Sequence, residues 1–414
     1  MTNILMLTLV YGPDTVSTAN MMTDIANGLG DNGHNVTVLT SVPHYNPSKE
    51  VLDNPVMRSN WRKPFTESIE HGVRVLRVFM PPKRHKVWAR AFDYIIFQAL
   101  TTILGVFRVA RPDVVFVTSP PITLGLSGIL ISWIKGGRFV YDVRELWPDV
   151  PVRMGLFRNL LLIKLVYWLE DFVYRKTVAI STIARSFQNT LVERGVPRKK
   201  LYFTPNFVDV GFIRPSESQN EFSSANRLDG MFVVLYAGNV GLTQGLEILL
   251  EVANAFTVND IVQFVVVGDG AARSRLETAL TKSNLKNLRM LPFQPVRLVN
   301  SMYAAADVCI VPLRRGFSYD TVPSKIYTAM AAGRPVLASA ETDSETALLL
   351  NESSAGVCVE PESAEALIEA ITSLYENPAY VSDMGDNGRK WIENYYSRSV
   401  VIDAYDNMLR EVSG

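Results

Sequence analysis

The sequence predicts an α/β protein built from two doubly wound parallel sheets, and three observations lead to this prediction. Short apolar runs alternate with helical stretches along the 414 residues, as expected for strands buried on both faces of a sheet. The alternation pauses at a polar stretch, residues 214–229, and then restarts. The length suits roughly two or three domains. We therefore expect two facing halves, with ligands bound in a cleft at the carboxyl ends of their strands.

The elements of the first half are bounded by turn residues. An apolar run at residues 4–10 ends at Gly12-Pro13, and the helix predicted for residues 18–32 stops at Gly33. Further strands are predicted at 35–41, 73–79, 113–118, 138–143 and 177–180. The helices between them are predicted at 89–109, 122–134, 157–174 and 183–194.

The second half repeats the pattern after the polar stretch, which we interpret as a linker or exposed loop. Its strands are predicted at 231–237, 262–267, 287–291, 307–312, 335–339 and 355–359. Its helices are predicted at 244–256, 271–284, 296–306, 323–332, 363–376 and 380–396.

Charge and apolar segments indicate a membrane surface rather than nucleic acid. The 41 basic and 41 acidic residues cancel, but residues 1–200 hold 25 basic and 15 acidic ones. This basic excess suggests that the first half faces an anionic partner, and the alternative is that the charges cluster by chance. No segment reaches the ~18–20 apolar residues of a membrane span, yet the helices predicted at 89–109, 122–134 and 157–174 are apolar and have basic neighbours. We expect them to lie on an anionic membrane, the alternative being that they pack on the sheet. The two cysteines and the absence of a signal peptide predict a cytoplasmic protein without disulfides.

Polar residues follow the predicted strands of the first half where ligands would bind. Ser17 and Thr18 begin a helix, as N-caps or as binders of an anionic ligand. His44 follows the second strand. The loop at residues 141–149 offers Asp142 and Glu145 to orient hydroxyl groups and Trp147 as a flat surface for a sugar. The alternative is that Arg144 forms an internal ion pair that braces this loop.

Three motifs of the second half predict a diphosphate site. The turns at 238–245 and 268–270 are glycine-containing loops after strands, and each alone is a weak signal. The most specific motif joins Arg314 and Arg315 to the helix start Pro323-Ser324-Lys325. Lys325, one arginine and the helix N–H groups would form a cationic cradle.

These motifs resemble retaining glycosyltransferases of the GT-B fold, family 4, in the WbuB-like, L-fucosamine-transferase-like branch that builds O-antigen, capsule and colanic-acid-type polysaccharides. The resemblance rests on the segments 33–40, 142–148, 238–245, 267–270, 321–325 and 330–335 and covers nearly the whole chain. It implies two facing Rossmann-like domains: residues 1–210 for the acceptor and the membrane, and residues 211–385 for the nucleotide sugar. Residues 386–414 would form helices that cross back to the first domain.

The resemblance also implies site residues. The catalytic residues would be Asp142, Glu145, Lys325 and Asp320. The donor would contact Gly238, Asn239, Gly241, Gln244, Gly268, Asp269, Phe293, Arg314, Arg315, Val322, Pro323, Ser324, Lys325 and Thr328. The acceptor would contact Ser17, Thr18, His44, Arg144 and Trp147. No metal or other cofactor is expected, because basic residues take the place of a metal.

The chain departs from the family pattern at several of these positions. The paired acids of the family align with Asp320 and Thr328, so the acid that usually holds the ribose is missing. The usual Arg and Lys of the first glycine loop align with Asn239 and Gln244. The common catalytic-loop histidine is replaced by Asp142. The phosphate charge would therefore be met mainly by Lys325 and by Arg314 or Arg315.

The expected reaction is transfer with retention from a nucleotide sugar, UDP-linked and N-acetylated or deoxy, to an undecaprenyl-diphosphate-linked sugar. The protein would work as a peripheral protein at the inner face of the cell membrane. Two alternatives stay open. A nucleotide-sugar epimerase can share the fold but needs no apolar basic helices, and a degenerate transferase subunit would release no nucleotide from a donor.

Overall fold

The computed structural model describes residues 1–14, 16–44, 51, 53–54, 57, 59, 62–80, 87–149, 152, 159–259, 261–319 and 322–414, without the side chains of 87–91. The chain divides into two compact units. The first unit comprises residues 1–205 and 401–414, and the second comprises residues 206–400.

The first unit contains an eight-stranded sheet with helices between its strands. In chain order its elements are β1 (Asn3–Leu7), α1 (Ser17–Asp31), β2 (Asn35–Ser41), β3 (Phe65–Glu70), β4 (Val73–Val78), α2 (Val87–Phe107), β5 (Val114–Ser119), α3 (Leu124–Lys135), β6 (Arg138–Val143), α4 (Leu160–Lys176), β7 (Ala179–Thr182), α5 (Arg185–Glu193) and β8 (Leu201–Phe203). The strand order is β3-β4-β2-β1-β5-β6-β7-β8. The pairs are parallel except β3 with β4.

The second unit contains a six-stranded parallel sheet. Its elements are α6 (Glu221–Ala225), β9 (Phe232–Ala237), α7 (Ile248–Ala255), β10 (Val262–Val267), α8 (Arg273–Ser283), β11 (Leu288–Leu291), α9 (Val299–Ala304), β12 (Val308–Pro312), α10 (Lys325–Ala331), β13 (Val336–Ser339), α11 (Glu345–Ser353), β14 (Gly356–Val359), α12 (Ala364–Glu376) and α13 (Pro378–Tyr395). The strand order is β11-β10-β9-β12-β13-β14. The last helix, α14 (Arg398–Ser413), ends the chain.

Both sheets have buried central strands, which is why periodicity in the sequence located them well. Every residue of β5 and of β10 is buried. Apart from Thr118, Ser119 and Gln263 these strands are apolar, so they do not show the alternation of a half-exposed strand. The predicted fold class, two α/β units with doubly wound sheets, is therefore confirmed.

Several predicted element assignments differ from the structure. The edge strands β3 and β8 and helix α11 were not predicted. Only part of the predicted linker at 214–229 is irregular, because Asn220 caps the short helix α6 and Phe222 lies in the core. The apolar fraction of that stretch is low, so its one buried aromatic residue gave too weak a signal.

The structure also places the end of the chain differently from the expected crossing at residue 386. Helix α13 stays in the second unit, where a Cβ atom on Gly388 would lie 3.1 Å from Ala355 and 3.3 Å from Met330. Helix α14 supplies the part that returns to the first unit: Ile402 packs against Gly28, and Asp406 receives a 2.7 Å hydrogen bond from the His34 ring. The unit boundary falls at residues 205/206 and at 400/401.

Candidate active site

The predicted diphosphate motifs of the second unit come together at the carboxyl ends of β9, β10 and β12. A Cβ atom on Gly238 would lie 3.4 Å from Lys325 Nζ, so this turn lies directly against the lysine. A Cβ atom on Gly268 would lie 1.8 Å from the Gly238 carbonyl oxygen. Glycine is required at 268 because no side chain fits there and its φ is +149°. The three motifs thus form one site.

Lys325 places a buried amine at this site. Its Nζ lies 2.5 Å from the Tyr236 hydroxyl and 3.9 Å from the centroid of the same ring. Burial lowers the pKa of Lys325 to about 7, because an ammonium ion loses solvation in apolar surroundings. A bound anion would restore the charged form, so the amine is suited to a diphosphate.

The two predicted arginines differ in their surroundings. Arg314 lies beside the first glycine loop, donates from Nε to the Leu242 carbonyl at 2.7 Å and forms ion pairs with Glu247 and Glu362. Arg315 donates to the Pro361 carbonyl instead. Of the two, Arg314 therefore lies next to the glycine loop, and its charge is already shared with two carboxylates.

The remaining donor candidates differ in their positions and in their exposure. Asn239 and Gln244 flank Gly241 from both sides. Asp269 is exposed and accepts a hydrogen bond from the Gly270 amide, and Phe293 is 61% exposed just after β11. The buried residue Val322 and the partly buried Pro323 and Ser324 precede α10, which starts at Lys325 without a side-chain cap. Thr328 hydrogen bonds with Tyr303. Asp320 lies outside the described residues.

Sequence reasoning missed two residues of this site. Tyr236, on β9, contacts Lys325 as described above, and its hydroxyl also donates to the Asn239 carbonyl at 2.5 Å. Arg273 ties two loops together, because its Nη1 donates to the carbonyls of Gly268 and Leu291. The position of Tyr236, two residues before the first glycine loop, is the only signal the sequence offers for it.

In the first unit the candidate residues also gather at the carboxyl edge of the sheet. Helix α1 begins at Ser17 with Val16 as its N-cap residue and no side-chain cap, so the N-cap alternative for Ser17 and Thr18 is wrong. His44 follows β2 and is buried, with its ring Nδ1 2.8 Å from Ser41 Oγ and its backbone amide donating to Asp14.

Asp142 and Arg144 form the internal ion pair that the sequence left as an alternative. Asp142 is fully buried, and Arg144 Nη1 lies 3.2 Å from its Oδ2. The Oδ1 atom of Asp142 accepts hydrogen bonds from Ser181 at 2.7 Å and from Tyr405 at 3.1 Å. Burial alone would lower the pKa of Arg144, but the Asp142 carboxylate beside it raises it. This geometry is the internal brace of the ion-pair alternative, and the catalytic role of Asp142 stays a prediction.

Glu145 and Trp147 are partly exposed members of the same loop, as is Asp149. Burial raises the pKa of Glu145, against the lowering effect of a hydrogen bond with Trp147 and the charge of Arg144. The far end of the loop is anchored by Asp149, which accepts hydrogen bonds from Tyr167 at 2.7 Å and from Arg194. Sequence reasoning did not identify this anchor, since its three residues are far apart in the chain.

Comparisons with known proteins bear on both units. Residues 18–206 match the "Glycosyl transferase 4-like domain" family, and residues 217–391 match "Glycosyl transferases group 1". The chain is 26% identical over 98% of its length to the putative colanic acid biosynthesis glycosyl transferase WcaI of Escherichia coli K12, covering 99% of that protein. It is 27% identical over 76% of its length to the probable glycosyltransferase WbjE of Pseudomonas aeruginosa, covering 79% of it.

A solved structure shows the same fold. Anabaena Alr3699/HepE in complex with UDP and glucose superposes with a TM-score of 0.73 at 15% identity, covering 99% of this chain and 100% of that one. This likeness shows the GT-B fold alone.

Proposed function

Because the chain belongs to the glycosyltransferases, with a 4-like domain followed by a group 1 domain, we propose that it transfers a sugar with retention from a UDP-linked donor to a lipid-diphosphate-linked sugar. The product would be a surface polysaccharide, in line with the putative colanic acid biosynthesis glycosyl transferase to which the chain is 26% identical over 98% of its length. The observation that carries the proposal is the amine of Lys325 held against the glycine turn at Gly238.

The donor half of the reaction follows from that geometry. When the sugar leaves, negative charge develops on the diphosphate, and Lys325 together with the backbone N–H groups of Asn239 and Gly241 would stabilise it. The N–H groups of Gly238 and Val240 donate to the Val267 and Asp269 carbonyls instead. Fixed groups of this kind contribute several kcal/mol where the charge develops. Arg314 would add a weaker positive potential, since its charge is already shared with two carboxylates. Metal-independent transfer is part of the proposal, and chelation with EDTA should leave the rate unchanged.

The acceptor half rests on the partly exposed residues of the first unit. Glu145, whose carboxyl has a raised pKa, would hold an acceptor hydroxyl, and Trp147 would offer its ring to the sugar. The attacking hydroxyl would pass its proton to the departing phosphate, so no protein nucleophile is required. Ser17 and Thr18, at the start of the 15-residue helix α1, would bind the acceptor phosphate.

The membrane part of the proposal is supported by an apolar face on α2, α3 and α4, in which α3 packs against both of the others. Its members have large exposed fractions: Phe92 57%, Ile95 62%, Ile103 52%, Phe107 79%, Trp133 80%, Leu160 73%, Leu161 78%, Leu165 58% and Trp168 57%. An apolar area of this kind marks an interaction site. Lys164, Arg175 and Lys176 are exposed on α4, which favours an anionic membrane as the partner. Among the described residues, no helix has the length and apolar character to cross a bilayer.

The donor assignment is tested by titrating UDP and GDP into the wild type and Lys325→Ala. We expect one nucleotide to bind the wild type at micromolar concentration and to lose at least tenfold in affinity in the variant. The matched control is Lys282→Ala, an exposed lysine at the end of α8, which should bind as the wild type does. If neither nucleotide binds the wild type, the donor site is wrong. Retention is tested by NMR of the anomeric configuration in the product.

The membrane assignment is tested by sedimentation with vesicles of phosphatidylglycerol or of phosphatidylcholine. The wild type should co-sediment with the anionic vesicles, and Trp133→Ser with Trp168→Ser should reduce this several-fold. Val258, 98% exposed in the second unit, provides the control Val258→Ser. Equal loss in the control, or equal binding to both lipids, would contradict the assignment.

A further inference from the structure

Tyr236 lies directly beneath the first glycine loop. It is the second-last residue of β9 and is fully buried, although its hydroxyl reaches polar groups on two different elements. The hydroxyl donates to the Asn239 carbonyl at 2.5 Å, within the loop, and lies 2.5 Å from Lys325 Nζ on α10. One buried side chain therefore joins the loop to the lysine.

The direction of these hydrogen bonds follows from the chemistry of a phenol. Burial raises the pKa of Tyr236 above its ordinary value, so the hydroxyl stays protonated. A phenol has a single proton to donate, and that proton is directed at the Asn239 carbonyl. The hydroxyl oxygen must then accept a hydrogen bond from Lys325, which leaves the other N–H bonds of the amine for another acceptor.

Two further features of Lys325 link the position of its amine to Tyr236. Within the part of the chain that the structure describes, no ion pair is found for Lys325, whereas Arg314 nearby pairs with two carboxylates. The ammonium group also lies 3.9 Å from the centroid of the Tyr236 ring, a favourable position for a cation above an aromatic face. The ring and the hydroxyl together set where the amine rests.

We propose that Tyr236 is a positioning residue for the donor diphosphate: it holds the Lys325 amine against the Gly238 turn and fixes the Asn239 carbonyl of the same loop. This inference rests on the proposed function of the second unit as the donor site. It adds a residue whose side chain would not touch the ligand. Tyr236 would act on the affinity for nucleotide through Lys325.

The experiment is a double-mutant cycle on nucleotide affinity. UDP and GDP are titrated calorimetrically into the wild type, Tyr236→Phe, Lys325→Ala and the double variant. Tyr236→Phe keeps the ring and removes only the hydroxyl, so the fold should persist, which the thermal transition checks. The matched control is Tyr375→Phe, a tyrosine of α12 in the same unit that packs on Phe232.

We expect Tyr236→Phe to weaken nucleotide binding about tenfold, the usual effect of losing a hydrogen bond to a charged group. In the Lys325→Ala background the same change should cost less than about threefold, since coupled residues are not additive. The KM for the donor should rise in parallel in Tyr236→Phe.

The outcomes distinguish a failure of the donor-site assignment from a failure of the positioning role of Tyr236. If neither nucleotide binds the wild type, or if Lys325→Ala leaves binding unchanged, the donor site itself is wrong and the inference fails with it. If Lys325→Ala abolishes binding but Tyr236→Phe matches the wild type, the inference alone is overturned. An equal loss on removing the hydroxyl in both backgrounds shows a merely structural role and also overturns it.

Discussion

Nucleotide binding to this protein should be coupled to proton uptake by Lys325. Burial lowers the pKa of this lysine to about 7 in the ligand-free protein, whereas the terminal phosphate of UDP is already mostly ionised at pH 7. A diphosphate beside the amine favours its charged form. Binding above pH 7 should therefore draw a proton from the buffer, and affinity should fall as the pH rises.

The magnitude follows from the titration of one group. With a pKa of about 7, the protonated fraction falls from about one half at pH 7 to about one in thirty at pH 8.5. If only the ammonium form binds, the affinity for nucleotide falls about fifteenfold over this interval, and about 0.9 proton is taken up at pH 8.

Calorimetry in HEPES and in Tris, which differ in ionisation enthalpy, measures this uptake directly. Lys325→Arg is the matched control, because a guanidinium stays charged throughout the range and should bind without uptake. An uptake near zero in the wild type, or the same pH dependence in Lys325→Arg, would refute the reasoning.

Three further predictions concern stability. Lys325→Met should raise the free energy of unfolding most at or below pH 7 and progressively less towards pH 10. The reason is that the lowered pKa of the lysine in the folded state costs stability until the unfolded chain also loses its proton. Urea titrations at pH 6.5 and 9.5 measure the difference, and equal gains at the two pH values would contradict the prediction. Gly268→Ala should lower the free energy of unfolding by more than about 3 kcal/mol, since its Cβ atom would overlap the Gly238 carbonyl. The control Gly230→Ala has open space around it and should cost about 1 kcal/mol because of its positive φ. Thermal unfolding of both variants measures the difference. Asp142→Asn should cost about 3–5 kcal/mol because it leaves the buried Arg144 without its carboxylate, and a stable variant with lost activity would instead favour a catalytic role.

Much of the fold could be predicted because the central strands carry strong local signals. Strands such as β5 and β10 are predominantly apolar segments between turns, and the predicted bounds of β2, β6 and β10 agree with the structure. The edge strand β3 reads Phe-Thr-Glu-Ser-Ile-Glu and is half exposed. Its pairing with β4 arises from backbone hydrogen bonds to a neighbour, which a weak local pattern does not reveal.

The site could be predicted only in part. Glycine turns and the Pro323-Ser324-Lys325 helix start have sequence signatures, so the sequence predicts the second-unit motifs although it does not contain their contacts. The motif around Asp142 does not show that this carboxylate is buried, so the sequence leaves both the catalytic and the ion-pair alternative open. Ser181 and Tyr405, which hydrogen bond to the carboxylate, come from distant parts of the chain.

The amino-acid sequence by itself determined the two α/β halves, the order of their central elements and the position of Lys325 at a helix start in the second half. Local periodicity and turn chemistry suffice for these features, since each involves residues close together in the chain. Tertiary structure alone decided which side chains contact Lys325, that Asp142 forms a buried ion pair, and which apolar residues are exposed on α2, α3 and α4. These depend on distances between segments far apart in sequence, and the pKa of Lys325 depends on the solvent that such packing excludes.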